Sequence, residues 1–175
     1  MRIVPPVNNM SRSASEGVSA LNAEMFVLFT LDEQVYAVRL EVVERVSLAV
    51  AITYLKKAPE IVLGVVNLEG QIVAVVNVRK RLGLEERKIS IDDQFLFVRT
   101  TRRMFALVVD SVGEVAKLSQ DQTATADQIV PGLEHVAGIV KLADGLILVH
   151  DLEQFLSLEE ERVLSEAMVT EQVKQ

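Results

Sequence analysis

Cysteine and tryptophan are absent from this chain, and histidine occurs only at His135 and His150. Without cysteine there is no disulfide framework and no thiolate metal site, which suits a reducing compartment such as the cytoplasm. The two histidines show no ligand spacing, and His150 stands at a strand end where a satisfied structural role is expected. Positive charge is also in deficit: 18 Lys and Arg face 25 Asp and Glu, a net charge of −7. Phosphate binding needs a basic surface, so this balance opposes nucleic acid as a partner. No apolar run approaches the ~20 residues of a membrane span, so direct membrane insertion is not expected. The first residues lack the apolar core of a secretory signal. Phosphate-binding glycine loops, nucleophile elbows and acid–base constellations are missing too. No catalytic residue, cofactor site or metal site is therefore expected. Two tyrosines without tryptophan cannot line a pair of polyproline grooves.

What the chain does hold is aliphatic. Half of its 175 residues are hydrophobic, mostly Val, Leu and Ile, a mix that favours packed sheets. The phrase GVVNLEGQIVAVVNV (residues 64–78) returns as GIVKLADGLILVHDL (residues 138–152). An offset of 74 aligns Ile61–Leu84 with His135–Leu158 and superimposes Val62, Gly64, Val66, Leu68, Val75, Leu82 and Leu84 on identical residues. An offset of 69 aligns Phe26–Val46 with Phe95–Val115. The difference falls in the polar segment Ser119–Gly132, where a surface loop absorbs insertions. Two structural units in tandem follow.

Each unit reads as a hairpin, a short helical or bent segment (EVVERV; DSVGEV), a further strand, a second hairpin and a short amphipathic helix. Five short strands per unit suit a small closed barrel, and closure would explain why strands buried on both faces lose their polar alternation. Ser157 to Glu160 form a capping-box pattern opening a terminal helix, with Thr170–Gln175 expected to fray. The cluster Val78–Arg81 reads as the solvated face of a short helix. The expected organisation is a flexible arm at residues 1–23, a first barrel at 24–90, a second at 91–157, and a helix and tail at 158–175. Residues 24–157 together make one domain.

From about Met25 to Glu161 the chain resembles the CheW family of chemotaxis coupling proteins. The runs that carry the likeness are FVLFTLDEQVYAV, IVLGVVNLEGQIVAVVNVRKRLG, FALVVDSVGEV and GLILVHDLEQFLSLEEE. The resemblance implies a mainly β fold of two intertwined five-stranded SH3-like barrels with short helices and a C-terminal helix. It also implies no enzymatic activity. The implied role is a cytoplasmic bridge between the tips of methyl-accepting chemoreceptors and the regulatory domain of the histidine kinase CheA. By position, the receptor-facing groove would involve Val43, Gly64, Val112, Val115 and Gly138. A plainer reading makes the valines core and the glycines backbone devices, and the two are compatible. Leu68 and Ile72 are candidates for kinase docking.

Two departures stand out. The family usually reads Asn-Leu-Arg-Gly where this chain has Asn67-Leu68-Glu69-Gly70, and Glu where it has Arg45. Both charges are reversed together, so Arg45 and Glu69 are expected to form a swapped ion pair that fixes the short helix against the hairpin. In the competing reading Glu44 takes the usual role and Glu69 is merely solvated. If the site touches a partner, the swap suits partners of altered charge, such as those of a divergent chemosensory pathway or of surface motility.

Overall fold

A computed structural model describes residues 23–119, 123–125, 136–142 and 145–173. All of the expected N-terminal arm except Ala23 lies outside them, as does most of the loop at 119–132. Eleven strands are present among the described residues: β1 (Ala23–Leu31), β2 (Gln34–Arg39), β3 (Val43–Leu48), β4 (Val62–Leu68), β5 (Gln71–Val76), β6 (Gln94–Arg99), β7 (Met104–Val109), β8 (Ser111–Ser119), β9 (Thr123–Thr125), β10 (Val136–Leu142) and β11 (Gly145–His150). A single helical turn, α1 (Val78–Arg81), follows β5, and α2 (Leu158–Val173) ends the chain. Mainly β architecture with a C-terminal helix is thus what the chain adopts.

The strands form two sheets, ordered β8-β1-β2-β11-β10-β9 and β3-β6-β7-β5-β4, curled but not closed by pairing of their edge strands as the expected barrels would be. The repeat offsets carry β1, β2 and β3 onto β6, β7 and β8, and β4 and β5 onto β10 and β11. Exchanging the two units converts the second order into the first five strands of the first order. Even β9 has a counterpart, reduced to the isolated bridge between Thr53 and Val65. The sequence repeat is therefore a structural repeat.

One expectation needs correction. The boundary between residues 90 and 91 does not separate the sheets, because the leading hairpins are exchanged. The β1–β2 hairpin joins the second unit, where β2 runs parallel to β11, pairing Tyr36 with Leu148. The β6–β7 hairpin joins the first unit, where β7 runs parallel to β5. Two nearly equivalent sheet edges were available to each hairpin, and local patterning does not choose between them. A second correction concerns EVVERV and DSVGEV. Only Leu40–Val42 forms a 3-10 turn; Val43–Leu48 and Ser111–Ser119 are strands. Their polar residues reflect the exposure of an edge strand, with β-branched valines keeping the extended form.

The exchange creates three apolar clusters. Phe95, Phe97, Val73, Val75 and Ala106 fill the interior of one sheet's curl, and Phe26, Ala37, Ile147 and Val149 fill the other. Between them lies a larger cluster holding Val27, Phe29, Val38, Ala74, Val76, Leu96, Val98, Phe105 and Leu107. Alternate residues of one strand thus enter different cores: Phe95 and Phe97 one way, Leu96 and Val98 the other. That is why the central strands are apolar on both faces. Burying each such side chain contributes roughly 1.5–3 kcal/mol, so the shared seam dominates the stability.

Helix α2 closes the seam with Leu164 and Ala167, both buried. Its capping box is formed reciprocally, Ser157 N–H donating to Glu160 Oε2 at 2.8 Å and Glu160 N–H to Ser157 Oγ at 3.1 Å. The helix continues to Val173, past the point where fraying was expected.

Gly64 shows how tightly the strands are laid. Its φ is +150°, and a β-carbon there would sit 2.3 Å from the Thr53 carbonyl oxygen. The Thr53–Val65 backbone pair, at 2.8 and 2.9 Å, holds that carbonyl in place. Gly64→Ala is expected to lower unfolding stability by at least ~2 kcal/mol through clash and strain. Urea denaturation checks this; an unchanged midpoint would contradict it.

Candidate functional site

The central seam reaches the surface at a few partly buried side chains, among them Val42, Val43, Val112, Ile72 and Leu148. Val43 and Val112 are repeat equivalents at the starts of edge strands β3 and β8. Val112 N–H donates to Gln94 Oε1 at 2.6 Å, tying β8 of one sheet to β6 of the other. Val115, one turn of the pleat further, is 47% exposed, and its equivalent Val46 is 40% exposed. The valines of the expected groove therefore lie where apolar seam meets solvent. The two glycines do not line that surface. Gly64 and Gly138 are buried equivalents, each at a register shift in its hairpin. Leu68 and Ile72 are separated too. Leu68 packs on the interior cluster of its sheet and Ile72 on the central one. Ile72 also lines a cleft of about 190 Å³ with Met168 and Glu171 of α2.

Arg45 and Glu69 do meet. Arg45 Nη1 lies 2.7 Å from Glu69 Oε1. Glu44 is engaged elsewhere, accepting from Arg99 Nε at 2.6 Å, so the competing reading fails. Arg45 pairs across to Phe97 on edge strand β3, while Glu69 sits in the β4–β5 turn with φ +52°. The pair thus joins opposite edges of one five-stranded sheet; it does not clamp a helix, as Arg45 is in a strand. Both side chains are well exposed, at 46% and 73%, which limits the pair to ~0–1 kcal/mol.

A stronger ionic cluster was missed in the sequence. Arg79, within the basic run expected to be solvated, is buried. Its guanidinium donates to both oxygens of Asp32 at 2.7 and 2.8 Å, and to Asp110 at 2.8 and 3.0 Å. Arg87 then joins Asp110, at 2.7 Å, to Asp93, at 2.6 and 2.9 Å. Asp32 N–H closes the ring on Asp110 Oδ2 at 2.8 Å. Arg81 and Lys80 are also committed, to Glu160 and Glu60. The cluster pins the β1–β2 turn of one sheet to the β7–β8 crossover that leads out of the other.

These contacts set the carboxylates' acidity. The Arg79 guanidinium holds Asp32 below its ordinary range. Burial pushes Asp110 up, but hydrogen bonds from Arg79, the Asp32 backbone and Arg87 outweigh it and leave it lowered. Burial likewise opposes, and Arg87 and the Ser90 backbone overcome, at Asp93. Among the described residues no group of three His, Asp or Glu side chains could hold a metal. No helix of the described residues is long and apolar enough to cross a membrane.

Comparison with known proteins follows the same line. A family model described as a CheW-like domain matches residues 25–160. The chemotaxis protein CheW of Thermotoga maritima is 30% identical over 132 residues, covering 73% of this chain and 84% of its own. That of Treponema pallidum is 25% identical, covering 81% and 88%. In structure, the scaffolding protein TtCheW from Thermoanaerobacter tengcongensis matches with a TM-score of 0.72 and 27% identity, over 79% of this chain and 95% of that one.

Two outcomes are expected. Because the folded carboxylates are more acidic than the ordinary value of 3.8, their stabilisation is complete above that pH. It is lost as pH falls through their lower folded values. Acid unfolding followed by circular dichroism should therefore begin below about pH 4, with Asp110→Asn less stable at neutral pH and less sensitive to acid. A double-mutant cycle at Arg45 and Glu69 should give a coupling of roughly 0.2–1 kcal/mol that shrinks in high salt; zero coupling at low salt would remove the pair.

Proposed function

The chain belongs to the CheW-like family, and from that premise we propose that it is a non-catalytic adaptor that couples chemoreceptor tips to the regulatory domain of the kinase CheA in the cytoplasm. A chemotaxis scaffold role follows from the family and from its scaffolding relative. The observation that carries the bridging reading is the surfacing of the apolar seam at Val43 and Val112, with Val115 exposed beside it. An amphipathic helix at a receptor tip can lay its apolar face on such a strip. Gly64 contributes by leaving room for the Thr53 carbonyl beneath it, and Gly138 stands at the equivalent register shift of the other hairpin. Leu68 and Ile72, on the far hairpin, are assigned to the kinase as two separate contacts, one on each face.

A second reading concerns which pathway is served. The Arg45–Glu69 pair carries signs opposite to those the family usually shows. An adaptor so altered fits a divergent chemosensory array, or one governing surface motility, whose partners carry compensating charges.

Binding of a receptor hairpin tip and of the kinase regulatory domain, each measured alone, tests the assignment. Val115→Asp should weaken receptor binding about tenfold or more, as expected for a polar group forced into an apolar contact, and leave kinase binding within twofold. Leu68→Ser should do the reverse. Equal losses on both partners, or none on either, would refute the division of surfaces.

A further inference from the structure

The two valines that bring the seam to the surface are repeat equivalents, yet their backbones are held by different means. Val43 follows the 3-10 turn Leu40–Val42, and its N–H donates back to the Leu40 carbonyl. That hold is local. The offset of 69 carries the turn onto Val109–Ser111, where β7 passes into β8 through Asp110 alone and no such turn forms. Val112 N–H instead reaches the other sheet and donates to the side-chain oxygen of Gln94 at 2.6 Å. The first half does not repeat this device. Its equivalent of Gln94 is Met25, 42% exposed, whose thioether is a weak acceptor.

Strand β6 is common to both valines. Towards one end Val98 pairs with Val43 across the β3–β6 ladder, and at the other end Gln94 holds Val112. Four residues of extended chain, about 13 Å, separate the two attachments. The start of β8 is fastened to its own sheet by other bonds. Asp110 N–H donates to the Thr30 carbonyl at 3.0 Å, and the hydroxyls of Ser111 and Thr30 share a bond of 2.7 Å. Those bonds fix β8 to β1; the Gln94 bond fixes it to β6. Just beyond Val112 the β1–β8 register shifts, between the pairs Phe29–Val112 and Val27–Val115. A bulge bends its strand and interrupts the ladder, so an attachment beside it decides where the strand's valines are aimed.

We propose that Gln94 is a positioning residue for the receptor-facing strip: its side-chain oxygen fixes edge strand β8 against β6, so that Val112 and Val43 stand at a set spacing before a partner arrives. The proposal rests on the adaptor reading, because it concerns the strip which that reading gives to the receptor. The physical gain is preorganisation. A strip already held in its binding form loses less freedom when an apolar helix is laid on it. One valine is held by a turn and the other by a side chain, so a single substitution at Gln94 retunes Val112 and leaves Val43 in place.

The test uses the full chain with two substitutions. Gln94→Met removes the acceptor, keeps the length, and installs the residue that the first half carries at this position. Gln94→Glu keeps an oxygen in the same place. Amide hydrogen exchange at Val112 is expected to quicken roughly threefold to tenfold in Gln94→Met, the factor for one net hydrogen bond. In Gln94→Glu it should stay at or below the wild-type rate. Affinity for a receptor hairpin tip should fall about threefold or more in Gln94→Met and stay within about twofold in Gln94→Glu. Affinity for the kinase regulatory domain should stay within about twofold in both. Unchanged exchange at Val112 in Gln94→Met would overturn the proposal. So would faster exchange with receptor affinity intact, parallel losses for both partners, or a Gln94→Glu variant as impaired as Gln94→Met. A wild-type chain that binds no receptor tip sinks the adaptor reading, and the role of Gln94 with it. A wild-type chain that binds, beside variants that bind equally well, sinks the role of Gln94 alone.

Discussion

The fold depends on a core that neither sheet owns. Each sheet curls around a small apolar interior and turns its other face to a common seam, and the hairpins that build the seam are exchanged between the repeats. A half of the sequence cut from the other would keep one interior incomplete and expose Phe29, Leu96 and Phe105 to water. At roughly 1.5–3 kcal/mol per buried side chain, that loss is comparable to the whole stability of a typical domain. The two sheets are therefore one cooperative body. Rigid presentation of separate surfaces follows from this, because no relative motion of the sheets leaves the seam intact.

Duplication has preserved the apolar skeleton and released the polar positions. Phe26 and Phe95, Val43 and Val112, Gly64 and Gly138 are the same residue in the same place. The latches on the hairpin turns are not. Arg79 grips the Asp32 turn in one half; in the other, Glu153 accepts from Thr101 at the equivalent turn. The same mechanical task is done with opposite charge. Once charge is free to differ at equivalent sites, a symmetric frame can offer unlike surfaces, which is what a bridge between two different partners requires.

Much of this was legible in the residues. The repeats, the hairpins and the Ser157–Glu160 capping box rest on local periodicity and spacing, which survive in a linear reading. The Arg45–Glu69 contact was legible because the family resemblance located two reversals at once. The exchange of hairpins was implied only by the intertwining that goes with the resemblance, and no local pattern carried it, since β2 beside β11 and β2 beside β5 bury the same alternating valines and alanines; the choice is made by tertiary packing over a hundred residues of separation. Arg79 was misread for a different reason. A run of three cations beside two glutamates looks solvated, and nothing local reveals that Asp32 and Asp110, far along the chain on either side, converge on the first of them. Buried charge is rare enough that composition argues against it until its partners are seen.

Binding has to occur at the margins of such a body. The seam is already filled, the interiors are closed, and the ionic ring at Arg79 is satisfied by its own carboxylates. Among the described residues the margins include edge strands β3 and β8, where β-sheet pairing ends and valines emerge half exposed. Open edges invite unwanted strand addition. Here each edge is interrupted by a register shift and carries charge: Glu44 and Arg45 on β3, Glu114 and Lys117 on β8. Bulge and charge blunt pairing with arbitrary strands while the valines between them stay available to a partner that brings matching apolar residues. Specificity at these margins is thus set less by the strength of any one contact than by what the charged neighbours refuse.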